Sequence, residues 1–344
     1  MLSFAVFRLP YASECTLIVG ETVELTSCAE LSSRQGFVVA PFAPSASCPI
    51  LLIRPERVSP AADVETLLAS LSLTPLPSAA DKDYRTDYHI DFDNFHARIL
   101  HGDFQKLVLS RSIDLGCRET VSPFALFQRA CRRYPRMFIS LVFTPQSGLW
   151  LTSTPEILLA GDGHEWQTIA LAGTMPFSES LVWSEKNIEE QRYVATYIIS
   201  LLKQFAADFT EQGPYTARAG HLGHLRSDFR FVLKDECKVG DLLQALHPTP
   251  AVCGLPKEEA FSFILQNEHH ERSYYSGFMG PLSMGVQTSL FVTLRCMRLY
   301  QNGCRLYAGG GLLKDSDEEQ EWQETETKLD TMRNVVENNL DYNQ

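Results

Sequence analysis

Nine cysteines are scattered through 344 residues, and none of them forms a C-x-x-C pair. Their odd number and wide spacing argue against a disulfide framework and against a zinc site. Long apolar runs are missing as well, so no stretch is long enough to cross a bilayer as a helix. The first ten residues lack a basic start and meet Arg8 and Pro10 too early for a signal peptide. The expected compartment is therefore the cytoplasm. Basic charge is also scarce: 30 Lys and Arg stand against 42 Asp and Glu, for a net charge of −12. That balance disfavours nucleic-acid and anionic-membrane surfaces, and an anionic small ligand would need a local cluster of cations. Walker A, G-x-G-x-x-G, G-x-S-x-G and H-E-x-x-H motifs are absent, as are internal repeats.

What is present is ordinary globular material, 44% hydrophobic and 21% charged, enough for a large core. Residues 1–87 read as a scaffold segment of the same globule, with short β-like runs such as Gly36–Ala40 and a Pro/Ser/Asp-containing linker from Leu73 to Asp87. Residues 88–344 form the expected catalytic domain. Its helices near Tyr88–His101, Pro123–Arg133 and Ser184–Phe205 alternate with strands and with hairpins at Gly148–Ala172 and Leu290–Gly309. Antiparallel hairpins interspersed with helices predict an α+β fold.

The C-terminal segment carries the most chemistry. Ser316 with Glu319 has the pattern of a capping box, and Trp322, Thr325, Leu329, Met332 and Val336 recur at helical spacing. Glu321, Glu324 and Lys328 run along one edge of that stripe, while Glu326 and Asp330 point away towards solvent. Carboxylates beside a buried face cost about 2–7 kcal/mol unless paired. They call for a cation such as Mg²⁺; a solvated acidic face with an internal Glu324–Lys328 pair is the plainer alternative. In the helix begun by Ser184, Glu190 lines up with Val194, Tyr197 and Leu201, placing another carboxylate on an apolar face.

Arg295 lies in the run Phe291–Tyr300, where strand alternation sets it on one face with Thr293, Met297 and Leu299. It needs an anion, either a structural carboxylate or a ligand carboxylate. Lys106 opens an apolar strand and is a candidate general base if desolvation lowers its pKa. Glu156 is the matching candidate acid, since burial keeps a carboxyl proton on. Gly173-Thr174 and Gly309–Gly311 offer backbone N–H groups to a carboxylate. His247, in Leu-His-Pro-Thr-Pro, is either a donor at a site or a satisfied loop histidine.

Assembled in order, several segments resemble the chorismate-utilising enzymes, the family of isochorismate, salicylate, anthranilate and aminodeoxychorismate synthases. They are Phe104-Gln-Lys-Leu-Val-Leu-Ser-Arg111, Ser153-Thr-Pro-Glu156, Leu171-Ala-Gly-Thr174, Ser184-Glu-Lys-Asn-Ile-Glu-Glu190 and Leu246-His-Pro-Thr-Pro-Ala-Val-Cys-Gly254, followed by Glu271-Arg-Ser-Tyr-Tyr-Ser-Gly277, Leu294-Arg-Cys296, Tyr307-Ala-Gly-Gly-Gly311 and Glu321-Trp-Gln-Glu-Thr325. The resemblance runs from about residue 88 to the end.

It implies large antiparallel sheets wrapped by helices and a Mg²⁺-dependent site. Glu190 and Glu324 are then expected as metal ligands, with Glu321 acting directly or through water. Tyr275, Arg295 and the backbone at Gly309 are expected on the enolpyruvyl carboxylate of chorismate, and Lys328, Gly173 and Thr174 around the ring carboxylate or metal. Lysine at position 106, where the ammonia-using branch has glutamine, implies water as nucleophile, with Lys106 as base, Glu156 as acid and His247 orienting the substrate. Ala251, where salicylate synthases resemble this loop with threonine, favours stopping at isochorismate. Ala172 lacks the nucleophilic lysine of the aminodeoxychorismate branch. Two departures stand out: Asn187 replaces a common acidic residue, and Gly310 a common alanine.

The expected function is thus an isochorismate synthase feeding menaquinone synthesis, with siderophore synthesis as the other destination and no obligate glutamine amidotransferase partner. The competing readings are a salicylate synthase, an anthranilate synthase component I, and a catalytically silent binding relative.

Overall fold

The computed structural model describes residues 2–77, 83–116, 122–219, 222–235, 238–285 and 287–337. Strands β1 (Ser3–Arg8), β2 (Thr16–Leu25), β3 (Gly36–Ala40) and β4 (Ile50–Pro60) open the chain. A short helix α1 (Val64–Ala69) and the longer α2 (Tyr84–His101) lead to β5 (Lys106–Gly116) and α3 (Pro123–Arg133). Then β6 (Phe138–Thr144), β7 (Gly148–Thr154), β8 (Ile157–Gly161) and β9 (Trp166–Pro176) precede α4 (Glu185–Phe205). The hairpin β10 (Ala206–Ala219) and β11 (Leu222–Leu233) is followed by α5 (Val239–Leu246), β12 (Gly254–Leu255) and α6 (Lys257–Asn267). Finally β13 (Phe278–Leu282), β14 (Thr288–Val292), β15 (Cys296–Tyr300) and β16 (Gly303–Leu312) run into α7 (Glu318–Val336).

Among the described residues, sixteen strands join one antiparallel sheet in the order β10-β11-β9-β8-β14-β13-β3-β4-β2-β1-β6-β7-β15-β16-β5-β12. The α+β expectation holds. Strands β1–β4 occupy the middle of that order, so the first sixty residues share the sheet with the later ones. Aromatic and β-branched side chains such as Phe7, Ile18, Phe37, Phe138 and Phe291 meet in one cluster although their strands are far apart in the order. The Phe138 and Phe291 rings stack at 4.3 Å. The sheet therefore curls over this inner core, which removes apolar area from water on the inward face. Helices cover the outward face: α4 and α5 bury Val194, Ile198 and Leu242 against β9 and β11, and α3 and α7 bury Phe127, Leu329 and Met332 against β6 and β16.

Helix starts follow local chemistry. Ser122 accepts from Phe124 N at 3.2 Å with Pro123 at the first helical position, and Ser184 caps α4 by accepting from Asn187 N at 3.2 Å. The cap of α7 is Asp317, which accepts from Gln320 N at 3.0 Å, and not Ser316. Ser316 Oγ is otherwise engaged, accepting from Leu313 N and donating to Glu321 at 2.7 Å. Of the expected linker, residues 78–82 lie outside the described residues. Its start is tied down, with Leu76 N donating to Asn302 Oδ1 at 2.7 Å, and its end belongs to α2.

Candidate active site

Two strand pairs are interrupted at the same level. The chain leaves β7 and enters β8 across Pro155-Glu156, and it leaves β14 and enters β15 across Thr293–Arg295. Because β8 pairs with β14 and β7 with β15, the two breaks lie side by side, joined by Val292 N to Glu156 O (2.9 Å) and Ser153 N to Arg295 O (3.0 Å). Arg295 sits at φ 45°. The unbroken strand expected across Leu290–Tyr300 is thus not formed, and alternation does not decide where Arg295 points. The break turns Glu156 and Arg295 into a common cavity.

The same cavity is lined by Gly173, Thr174, Glu190 and Ala251 on one side and by Tyr275, Gly309 and Lys328 on another. Nine of the thirteen expected site residues line it, counting Glu156 and Arg295. Gly173 forms a bulge in β9 opposite His224 and Leu225, at φ 72°, a conformation open to glycine at no steric cost. Its N–H donates to Glu190 Oε2 at 3.2 Å. Gly311 admits no side chain, since a Cβ there would lie 2.2 Å from Glu190 Oε1 and 2.7 Å from Lys106 Cε.

Lys106 lies immediately behind Glu190 with no exposed surface. Its Nζ is 2.9 Å from Glu190 Oε1, close enough for an ion pair although off the line of a well-formed hydrogen bond. Lys328 Nζ donates to Glu324 Oε1 at 2.5 Å and to Gly309 O at 2.8 Å. Lys186, which the sequence did not single out, pairs with Glu321. Glu321 and Glu324 border the cavity beyond Gly310, whose Cβ position is 3.3 Å from Glu321 Oε2 and 3.7 Å from Glu324 Oε1.

Burial pushes the Glu156 carboxyl up to about 7 against the pull of Arg295, Lys106 and Lys328. Burial also acts on Glu190, but Lys106, with Lys328 and Lys186, holds that carboxylate below its ordinary range. Glu321 is raised by burial and by the neighbouring charge of Glu324, which together outweigh Lys186. Burial raises the Tyr275 phenol, which stacks on Tyr307 with ring centroids 5.5 Å apart.

Two findings correct the expectations, and a third concerns the departure at Asn187. His247 is not at the cavity: its Nε2–H donates to Pro41 O at 2.9 Å, and its ring packs edge-on against Phe278. Burial lowers it to about 4, so it is a neutral loop histidine that holds the segment carrying Ala251. Glu326 does not face solvent freely; it bridges Arg111 of β5 and Arg333 of α7 and so ties the closing helix to the sheet. Asn187, which stands where an acidic residue is common, accepts from Ser184 Oγ through Oδ1 at 2.6 Å.

One polar side chain that lines the cavity was missed. His224 Nδ1 lies 3.2 Å from Gly173 O and 3.3 Å from Thr174 Oγ1, and its Nε2 is 3.3 Å from Arg295 Nη2. With the proton on Nδ1 facing the carbonyl, Nε2 accepts from the guanidinium and sets its direction. The only sequence signal is a histidine in a strand run, which says nothing of the partner.

The all-oxygen donor set of Glu190, Glu321 and Glu324 suits Mg²⁺, and the like charges of buried Glu321 and half-buried Glu324 beside Gly310 are the condition a cation relieves. A second group, His89, Asp93 and Glu318, lies exposed on α2 and α7. There Nδ1 of His89 faces Glu318 and Nε2 faces Asp93, and Arg85 also holds Glu318, so the group is a surface ion-pair network. A roomier cavity of about 480 Å³ beside Phe42 and Ile264 contains Glu268 and Arg272, which satisfy each other through two contacts of 2.6 and 2.7 Å. Glu156, Glu190, Arg295 and Lys328 converge on the narrower one.

Sequence comparison agrees with this geometry. A family model described as chorismate-binding enzyme matches residues 69–337, and the chain belongs to that family. It is 30% identical over 241 residues to the isochorismate synthase EntC of Escherichia coli K12, covering 67% of this chain and 62% of that protein. With the isochorismate synthase MenF of the same strain it shares 31% over 250 residues, 69% of this chain and 57% of MenF. The chain thus matches less than two thirds of the length of either relative. The solved structure of MenF, described as menaquinone-specific, superposes with a TM-score of 0.80 at 25% identity, covering 97% of this chain and 88% of MenF. DhbC from Bacillus anthracis, assigned as 2,3-dihydroxybenzoate-specific, gives 0.81 at 25% identity, covering 98% and 96%. Among the described residues no helix is long and apolar enough to cross a membrane.

Proposed function

We propose that the protein converts chorismate to isochorismate, adding water at C2 and releasing the C4 hydroxyl while the ring double bonds shift. The observation that carries this reading is a buried amine, Lys106, set directly behind Glu190 and Gly311 of a cavity that is also lined by a carboxyl still holding its proton near neutrality, Glu156. Water addition with departure of a hydroxyl needs a proton removed at one carbon and delivered at another. Lys106, once it has released its own proton, takes the proton from water, and Glu156 gives one to the leaving oxygen. Glu190 ion-pairs with the amine at 2.9 Å, so Lys106 can act as the base only when that carboxylate has moved off it and the ammonium has lost its proton.

Arg295, aimed by His224, and the Tyr275 phenol hold the enolpyruvyl carboxylate, with the Gly309 backbone beside them. Lys328 and the Gly173-Thr174 bulge face the ring carboxylate. Glu190, Glu321 and Glu324 would hold Mg²⁺, which supplies positive charge to a dianionic substrate in a buried site. Ala251 lines the cavity without a hydroxyl, consistent with a reaction that stops at isochorismate. We carry menaquinone synthesis forward as the pathway, with catecholate siderophore synthesis as the alternative.

The test is incubation with chorismate, with and without Mg²⁺ and ammonia, and separation of products by chromatography. Mg²⁺-dependent isochorismate, lost in Lys106→Ala, is the expected result. Salicylate with pyruvate would remove the Ala251 argument, ammonia-dependent anthranilate would overturn the water assignment, and binding without product would favour a silent relative. Rescue of menaquinone auxotrophy, compared with rescue of growth under iron limitation, separates the two pathways.

A further inference from the structure

Each of the three carboxylates assigned to the metal carries its own lysine. Lys106 is 2.9 Å from Glu190, Lys328 is 2.5 Å from Glu324, and Lys186 is bonded to Glu321. Three negative charges are thus matched by three positive ones. A divalent cation added to that set brings two uncompensated charges into a buried region, which is unfavourable unless an ammonium leaves or an anion enters.

The three lysines differ in their freedom to leave. The Lys106 side chain is 0% exposed and Lys328 is 9% exposed, whereas Lys186 is 25% exposed. Lys328 is fastened a second time, to Gly309 O at 2.8 Å. Lys186 reaches in from the second residue of α4 on a flexible stem whose other end meets solvent. Its neighbour Asn187 accepts from Ser184 Oγ through Oδ1 at 2.6 Å and adds no negative charge to the start of α4.

We propose that Lys186 is a displaceable internal counter-ion of the carboxylate cluster, holding Glu321 until a divalent cation enters and then swinging out to solvent. This rests on the assignment of Glu190, Glu321 and Glu324 as the metal site. Lys186 is here a positioning residue: it orders Glu321 and sets the threshold for metal entry, and it takes no part in the proton transfers.

The experiment uses Mn²⁺ alone, titrated without substrate and followed by electron paramagnetic resonance, on the wild type, Lys186→Met and Lys186→Arg. Removing the competing charge should tighten Mn²⁺ binding by about tenfold or more in Lys186→Met, while Lys186→Arg keeps the plug and the wild-type affinity. A second measurement needs no variant: acylation of the wild type by an amine-reactive ester, mapped by mass spectrometry, should rise several-fold at Lys186 on adding Mn²⁺ and stay unchanged at Lys106. Lys186→Met binding Mn²⁺ no more tightly than the wild type, or Lys186 labelling indifferent to Mn²⁺ that does bind, overturns the proposal and leaves the metal assignment standing. Absence of Mn²⁺ binding in folded wild type and variants alike removes both.

Discussion

Glu156 and Arg295 face one cavity because each stands at an interruption of its strand, and the interruptions are hydrogen-bonded to each other's flanks: Val292 N to Glu156 O at 2.9 Å and Ser153 N to Arg295 O at 3.0 Å. A regular strand would send alternate side chains into the inner core and onto the helices. The paired breaks release one acid and one cation from that alternation and place them in the cavity between the sheet and α4 and α7.

The Glu156 carboxyl, raised to about 7, gives the first prediction. As proton donor it must be protonated, so kcat/KM should fall as pH rises through about 7. Glu156→Gln should lower the rate by about 10²–10⁴ and abolish that alkaline limb. A pH–rate profile of both proteins checks it, and an unchanged limb in the variant would assign the titration to another group.

Arg295 is a non-glycine residue at φ 45°, and its guanidinium is aimed by His224. Arg295→Ala and Arg295→Gly should both weaken chorismate binding by at least about tenfold, since a buried charged partner is lost. The glycine variant should nevertheless be the more stable of the two by about 1 kcal/mol, because only alanine retains the strain of a left-handed backbone. Urea unfolding compares the two directly.

Gly311→Ala should reduce kcat/KM by about a hundredfold or more, since a misplacement of about 1 Å in catalytic groups has that scale of effect. The added methyl would meet Glu190 Oε1 at 2.2 Å and Lys106 Cε at 2.7 Å. Gly310→Ala, whose nearest contacts are 3.3 and 3.7 Å, should keep most of its activity. Steady-state kinetics of the two neighbours is the check, and equal losses would show that the triglycine matters for its backbone alone.

His247 is neutral in the fold, lowered by burial to about 4 from 6.5. The unfolded chain takes up the proton first as pH falls, so its contribution to stability is complete above pH 6.5 and is lost progressively down to about 4. The shift corresponds to a loss on the order of 3 kcal/mol across that window. His247→Gln should flatten this part of the stability–pH curve, measured by denaturant unfolding at several pH values. Its effect on KM should be small, because the side chain is bound to Pro41 and not to the cavity.

Much of the site was legible in the chain itself. Lys106 and Glu156 could be picked out because each opens an apolar run, and Glu190, Glu324 and Lys328 because helical spacing sets them beside an apolar stripe; burying a charge is costly enough that it signals a partner. Helix spacing also placed Glu321 and Glu324 on one edge of α7, since the 3.6-residue period is set by backbone hydrogen bonding. Local propensity likewise located α3, α4 and the α+β alternation.

What the tertiary structure decided was which charge meets which. That Lys186 reaches Glu321, that His224 turns Arg295, and that His247 serves Pro41 are contacts across 135, 71 and 206 residues of chain, and no periodicity reports them. The breaks at Glu156 and Arg295 were hidden for the same reason. Each local run favours a continuous strand, and the interruption is stable only because the neighbouring strand is interrupted at the same level and satisfies its backbone groups. Composition and spacing thus determined the elements and the chemistry available to this protein. The curling of one sheet over its core decided the geometry, because only there do strands distant in sequence compete for the same space.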